Sequence, residues 1–322
     1  MIESKIIVVG GGPAGSACAR VLKQADLSTL ILDKKPFPRS KTCAGWVTPE
    51  VFKTLELNPE SYPHTLNRFD RIHFHLFGVA LPVRTCQYAI KRYEFDEWMI
   101  LRARVPVHTH KVKHIRKHNG YLIIDDTYQC RYLVGAGGTH CPVYKNFFGK
   151  TDPRPVKAMI SAVEKEYQCD FRDDRCHIWY FEDRLPGYAW YLPKGNGWLN
   201  IGIGGKFLKL KKQNRTIMDH WHLFAEKLVK LSLIKQVPRD PKGHNYYLFH
   251  KNHAYCRDNL FIIGDAAGVS TLDMGEGIHA AIKSGIMAAD AIANHKQFIP
   301  PGLANGLAKF SLPGIFLSIF KK

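Results

Sequence analysis

Four apolar residues, Ile6–Val9, run unbroken into a glycine cluster, and Ala14, Ala17, Cys18, Val21 and Leu22 then recur at helical spacing. The first pattern predicts a buried strand and the second an amphipathic helix, with Pro13 tolerated in its first turn. "LSTLILDKK" is a further buried strand ending at Asp33, so the chain opens with a strand–helix–strand unit. Alternation from about Arg71 to Arg84 predicts a sheet segment, and "EFDEWMILRA" a short helix. Residues 105–134 read as three strands broken at "HNG" and "DDT", and further strands are expected near 157–164, 176–182, 188–193 and 198–204. "RTIMDHWHLFAEKLVKLSLI" places Ile217, Trp221, Phe224, Leu228 and Leu231 on one side of a helix. "NLFIIGD" returns to a buried strand, and "GEGIHAAIKSGIMAADAI" predicts a long helix from about Glu276.

Buried strands of one type thus occur at the start, near 130–136 and near 260–264, with a sheet-rich region between the last two. One domain is expected to be discontinuous (1–70, 88–150 and 252–295) and another spliced into it (71–87 and 151–251). Residues 296–322 form an apolar tail, "FSLPGIFLSIFKK" at its end, which could enter a membrane interface or pack back on the domain.

The 322 residues are 45% hydrophobic and 12% aromatic, a globular composition. A formal charge of +18 suits nucleic acid, anionic lipid or a charged cofactor, and equally serves solubility. The basic segment "VHTHKVKHIRKH" reads as a solvated face, so no nucleic-acid partner is expected. Eight scattered cysteines without a C-x-x-C pair predict reduced thiols in a cytoplasmic protein and no metal site.

Gly10-x-Gly12-x-x-Gly15 falls where a strand turns into a helix, with Asp33 at the end of the next strand. The first glycine allows the turn, the second lets a pyrophosphate approach the backbone, and the third packs helix on strand. Asp33 can bind a ribose diol. This is a dinucleotide-binding signature, so the predicted fold is α/β: a discontinuous Rossmann-like domain, which the resemblance given next makes FAD-binding, with an inserted mixed α+β substrate domain. Gly264-Asp265 offers a second acceptor for sugar or ribityl hydroxyls, and the helix opening at "GEGI" would stabilise negative charge on a reduced flavin.

"GGGPAG", "RYEFDEWM", "NLFIIGDAAG" and "GEGIHAAIKSG", in that order, resemble the FAD-dependent oxidoreductases related to para-hydroxybenzoate hydroxylase. "PRSKTCAGW" and "PGYAWYLPKG" followed by "NIGIG" resemble the geranylgeranyl reductase family. The resemblance spans roughly residues 4–295. It implies that Gly10, Gly12, Pro13, Ala14 and Gly15 hold the FAD pyrophosphate, and Asp33 with Lys34 the adenosine ribose. It places Arg92 near the ribityl–phosphate region, Gly264 and Asp265 on the flavin side, and Gly275, Gly277 and Ile278 at the flavin-facing helix start. Arg39, Lys41, Cys43 and Ala44 match the segment that passes the cofactor, and Trp46, Tyr188, Trp190, Leu192 and Pro193 the lipid cavity. Cys43 is the candidate acid or redox group, or else a small packed residue.

Three departures stand out. Ala136-Gly137-Gly138 replaces the family's ADG, Cys43-Ala44-Gly45-Trp46 replaces C-G-G-G, and Leu192 stands for the usual Phe. The expected activity is reduction of a C=C bond in an apolar isoprenoid or lipid substrate by hydride from FAD. No second dinucleotide fingerprint exists, so NAD(P)H binding transiently, or an electron-donor protein, would reduce the flavin. The rivals are a flavin monooxygenase or halogenase, for which Lys194 is the only nearby lysine, and a non-catalytic flavin-binding redox sensor. The aromatic strand is open to a third reading, ordinary core between sheet and helix. A lipid substrate would make contact with the inner face of a membrane useful.

Overall fold

The computed structural model describes residues 1–250 and 254–298. In chain order the elements are β1 (Ile2–Val9), α1 (Pro13–Gln24), β2 (Thr29–Asp33), β3 (Trp46–Val47), α2 (Pro49–Thr54), β4 (Leu66–Leu76), β5 (Val79–Ile90) and α3 (Arg92–Ala103). Next come β6 (Val107–Thr109), β7 (Ile115–His118), β8 (Tyr121–Ile124), β9 (Tyr128–Gly135), α4 (Pro142–Phe147), β10 (Met159–Gln168), β11 (Cys176–Tyr180), β12 (Gly187–Lys194) and β13 (Trp198–Lys206). The chain continues through α5 (Phe207–Lys211), α6 (Ile217–Lys230), β14 (Lys242–Tyr247), β15 (Cys256–Arg257), β16 (Leu260–Ile262) and α7 (Ile278–Ala293).

Two compact units result. The first comprises Met1–Arg39, Asp96–Arg154 and the described residues from Tyr247 on; the second comprises Ser40–Phe95 and Pro155–Tyr246. Residues 40–70 and 88–95, expected in the first domain, cluster instead with the second. The reason is hydrogen bonding: β4 and β5 form one long hairpin rather than a short segment over 71–84, and β3 pairs with β5. The apolar tail expected at 296–322 lies outside the described residues after Phe298.

In the first unit the strands follow the order β15-β16-β9-β1-β2-β6, with parallel pairs from β16 to β6. Four strands, not three, occupy 105–134, because the chain leaves the sheet between β6 and β7. Ile6, Ile7, Val8, Ile31, Leu32, Leu133 and Val134 are fully buried, as strands covered on both faces require. Helices α1 and α7 meet closely at Gly285, where a Cβ would overlap the carbonyl oxygen of Ala14. The basic run at 107–118 finds acids here: His110 contacts Asp125 at 2.7 Å, Arg116 contacts Asp126 at 2.8 Å and Lys117 contacts Asp258 at 3.3 Å.

The second unit is an eight-stranded sheet, β14-β10-β13-β12-β11-β4-β5-β3. Helix α6 starts with a capping box between Thr216 and Asp219, and its Trp221, Phe224 and Leu228 pack with Trp179, Ala189, Tyr191, Leu199, Ile201 and Ile203. Leu231, expected on that apolar side, is 51% exposed because the helix ends at Lys230.

Candidate functional site

The first unit gathers one group of predicted residues. Gly10 turns at φ +113°, where a Cβ would lie 2.6 Å from the carbonyl carbon of Ala136. A Cβ on Gly15 would overlap the Gly10 carbonyl oxygen, so α1 can approach β1 only without one. Gly12 differs: its Cβ would meet only an Arg39 guanidinium nitrogen, at 3.6 Å. Two glycines therefore serve backbone packing, and the third leaves the start of α1, with Pro13 and Ala14, open to a phosphate group.

Asp33 ends β2 almost fully buried. Its Oδ2 accepts the Gly11 N–H at 2.8 Å and faces Arg39 at 3.3 Å, and Oδ1 accepts the Lys35 N–H at 3.1 Å. Arg39 also faces the fully buried Asp96, at 3.5 Å. A carboxylate held this way beside the glycine turn suits a diol, and Lys34 beside it is exposed. On sequence distance alone the Arg39–Asp96 pair was not visible.

Gly264 adopts φ +58° and stacks on Ala14, and Asp265 lies close to the start of α7: a Cβ on Gly277 would be 3.7 Å from Asp265 Oδ1. The fold thus brings Gly264, Asp265, Gly275, Gly277 and Ile278 to the α1 side of the sheet. Helix α7 begins at Ile278 rather than about Glu276. Glu276 instead caps it, with Oε1 accepting the His279 N–H at 2.7 Å. Burial pushes this carboxyl up to about 7, against the bonds from the helix N–H groups. The first-turn donors expected to face a flavin are therefore shared with a side chain of the protein itself.

One residue that sequence reading missed organises this region. The Arg154 guanidinium lies 3.9 Å from the Tyr144 ring centroid and 4.4 Å from that of Tyr247. It donates to the carbonyls of Asp265 at 2.9 Å and Thr139 at 2.6 Å. Tying two loops far apart in sequence, it fixes the Gly-Asp turn; no local pattern marks it.

The second unit holds Lys41, Cys43, Ala44, Trp46, Arg92, Tyr188, Trp190, Leu192 and Pro193. Strand alternation puts Ala189 and Tyr191 in the core with α6 and turns Tyr188, Trp190 and Leu192 to the opposite face. Pro193, expected in the same wall, points to the other face by the same alternation. The reading as core between sheet and helix holds for Tyr191; Trp190, 6% exposed, and Leu192, 1% exposed, are buried on the face opposite α6, and Tyr188 beside them is partly buried. Trp190 lies over Gly202, where a Cβ would overlap Cζ2 and sit 2.6 Å from Cε2, and its ring is 5.9 Å from that of Tyr188.

A polar network underlies this face. Trp190 Nε1 donates to Asn200 Oδ1 at 2.7 Å, and Asn200 Nδ2 donates to Glu164 Oε2 at 2.7 Å. Glu164 Oε1 accepts the Cys43 N–H at 2.7 Å, tying the cysteine loop to the sheet. Glu164 and Asn200 are buried, and burial raises the Glu164 carboxyl above its ordinary range despite the bonds from Asn200 and Cys43 and the field of Lys194. Cys43 is half-buried, its Sγ accepting the Gly45 N–H at 3.4 Å. Gly45, at φ +73°, packs between the Ile90 carbonyl and the Lys194 ammonium, and Trp46 beyond it donates to Gln87 Oε1 at 2.8 Å. Lys194 is buried and paired with Glu166. Arg92 is 7% exposed at the head of α3. Glu164, Glu166 and Asn200 were not anticipated, although their period-two spacing along β10 and the "NIGIG" strand was available.

Among the described residues no group of three His, Cys, Asp or Glu could hold a metal ion, and no helix is long and apolar enough to cross a membrane.

A parallel sheet with an open glycine turn and a buried acid at the end of its second strand is the arrangement of a dinucleotide-binding α/β unit. The NAD(P)-binding Rossmann-like domain family matches residues 8–71 and the FAD binding domain family residues 116–297. The chain belongs to the FAD binding domain family, among its geranylgeranyl reductase-like oxidoreductases. It is 28% identical over 315 residues to digeranylgeranylglycerophospholipid reductase 1 of Methanosphaera stadtmanae, covering 91% of this chain and 76% of that protein. It is 26% identical over 331 residues to the menaquinone reductase of Mycolicibacterium smegmatis, covering 91% and 77%. Its fold matches a geranylgeranyl bacteriochlorophyll reductase-like protein of Thermoplasma acidophilum with a TM-score of 0.79 at 20% identity, over 91% of this chain and 79% of that one. A flavin-dependent brominase matches at 0.73 and 18%, over 94% and 82%.

Proposed function

We propose that the protein reduces a C=C bond of an apolar, isoprenoid-type substrate with FAD as its redox cofactor. The observation that carries this reading is the sheet face bearing Tyr188, Trp190 and Leu192: it lies opposite the face that α6 covers, and the Cys43 loop is bonded to the same network that holds Trp190. The names of the relatives, a digeranylgeranylglycerophospholipid reductase and a menaquinone reductase, support a polyprenyl guest.

The residues that would hold FAD are Gly12 and its neighbours at the pyrophosphate, Asp33 at the adenosine ribose, and Asp265 with the start of α7 on the flavin side. FAD, once reduced, supplies a hydride for one carbon of the double bond. The remaining requirements fall to the chain. The aromatic face offers apolar contact area and ring faces that favour positive charge developing on a substituted carbon. The second carbon needs a proton. Cys43 is the candidate donor: the S–H bond breaks, a C–H bond forms, and the thiolate left behind is reprotonated from solvent. Glu164 fixes the backbone of that cysteine. Transient NAD(P)H, or an electron-donor protein, is the proposed reductant, and a lipid guest makes access from a membrane surface useful.

A halogenase reading needs a free amine near the aromatic strand, and Lys194 is instead held by Glu166; a monooxygenase needs no such amine and is separated by its reaction with oxygen. The deciding test is stopped-flow reoxidation. The FAD-loaded protein is reduced anaerobically, then mixed with a panel of polyprenyl lipids or, separately, with oxygenated buffer. Rapid anaerobic reoxidation by a lipid is expected. Indifference to every lipid together with a transient oxygen adduct in air would reject the ene-reductase reading.

A further inference from the structure

The C-terminal ends of α1 and α3 enclose a cleft of about 410 Å³ lined by Arg20, Lys23, Gln24, Arg102, Ala103 and Arg104. Four of its six residues are cationic. Lys23 and Arg104 are exposed, and Arg20 and Arg102 are partly buried. Among the described residues none of the four pairs with a carboxylate; Asp26 and Glu97, the acids nearest in sequence, pair with none of them. The contrast is with the basic run at 107–118, where His110, Arg116 and Lys117 have acidic partners.

Arg102 is the most constrained member. Its guanidinium lies 4.7 Å from the Trp98 ring centroid, and its Nε is buried without a hydrogen-bond partner. Burial and the fields of Arg20 and Arg104 both weaken its hold on the proton. A buried donor without an acceptor and three neighbouring like charges form an arrangement that an anion would relieve.

Cations in the last turn of a helix are ordinary, because they complement the dipole. Lys23 and Arg102 occupy such positions, and Arg20 donates to the Arg102 carbonyl at 3.0 Å. The dipole does not account for all four. Each helix end carries about half a negative charge, so two ends offset roughly one of the four positive charges. The cleft keeps a net positive field.

We propose that this cleft binds the phosphate group of an anionic ligand, either a soluble phosphate ester or a phospholipid headgroup. Arg102 supplies a planar, multidentate contact from its platform on Trp98, and Lys23 and Arg104 supply point charges at the rim. The site is separate from the cofactor turn. Helix α1 has twelve residues, so its far end lies about 18 Å from the glycines at its start. The proposal is therefore independent of the reaction assigned above.

The test uses the FAD-loaded protein, so that the cofactor's own phosphate site is filled. Inorganic pyrophosphate is titrated by calorimetry, and vesicles of phosphatidylglycerol or phosphatidylcholine are tested by co-sedimentation. Arg102→Gln is compared with Lys23→Gln/Arg104→Gln, whose two residues are exposed. Binding of pyrophosphate that weakens about tenfold in both variants is expected for a soluble phosphate ligand. Binding confined to phosphatidylglycerol, and lost in both variants, assigns a lipid headgroup. If Arg102→Gln does not fold, the double variant decides alone. Absence of binding to either probe, or binding that the exposed double variant leaves intact, overturns the proposal.

Discussion

Replacing Gly202 by alanine is the sharpest probe of the aromatic face. The new methyl would stand 2.6 Å from Trp190 Cε2 and 2.8 Å from Cη2. Carbon atoms pack at no less than about 3.5 Å, so the indole must retreat by roughly 1 Å. That retreat breaks the 2.7 Å bond from Trp190 Nε1 to Asn200 Oδ1. Overpacking costs about 1–3 kcal/mol, and a buried polar group left unpaired costs about 1–3 kcal/mol more. Against this, alanine in a strand recovers only about 0.4–1 kcal/mol of backbone entropy. The net expectation is a loss of roughly 1–6 kcal/mol. Urea denaturation of the FAD-loaded protein measures it, and turnover with a polyprenyl lipid should fall while the flavin absorbance is unchanged. Trp190→Phe introduced into the same background removes the second ring that the methyl strikes, so the double variant should be more stable than Gly202→Ala alone. Wild-type stability and turnover in Gly202→Ala would refute the placement of the indole and, with it, the wall.

Gly12→Arg should yield colourless protein, since it fills the open side of the turn; a yellow preparation with full FAD occupancy would remove the pyrophosphate assignment. Arg154→Ala should loosen the Gly-Asp turn and weaken FAD retention about tenfold, measured by flavin release on dilution; unchanged retention would make the clamp irrelevant to the cofactor. Glu164→Gln has one carbonyl oxygen for two donors, Cys43 N–H and Asn200 Nδ2. Alkylation at the Cys43 peptide, followed by mass spectrometry, should change several-fold, and an unchanged rate would sever Glu164 from the cysteine loop. A last prediction concerns acid. His75 and His177 touch at 2.9 Å, with Asp173 3.1 Å from His177 and Trp179 stacked on His75. Burial lowers His75 to about 4 and lowers His177 in spite of Asp173. The folded state therefore binds fewer protons than the unfolded chain below pH 6.5, so stability is retained above that value and lost as pH falls toward about 4. His75→Phe keeps the stack and should flatten the decline in urea midpoint; an identical slope would show that the histidines do not cause it.

What could be read along the chain was whatever depends on neighbours a few residues apart. The opening strand–turn–helix, the helix after "GEGI" and the alternation in "GYAWYL" are local: each follows from a period of two or 3.6 or from a glycine where the backbone must approach itself. The expectation of FAD followed from the order of these motifs, and the FAD binding domain match agrees with that cofactor.

Tertiary structure decided the rest. The alternation in β12 could say that Tyr188 and Trp190 share a face, but not which face α6 would cover; that depends on Trp221 and Phe224, some thirty residues on. The second unit takes in residues 40–70 and 88–95 because β4 and β5 pair along their whole length and β3 adds to β5, some forty positions away. Glu164 meets Cys43 across 121 residues, and Arg154 meets Asp265 across 111. A lone glutamate or arginine carries no periodicity. Its partner is chosen by how the sheets place distant backbone, and by the cost of burying charge without one.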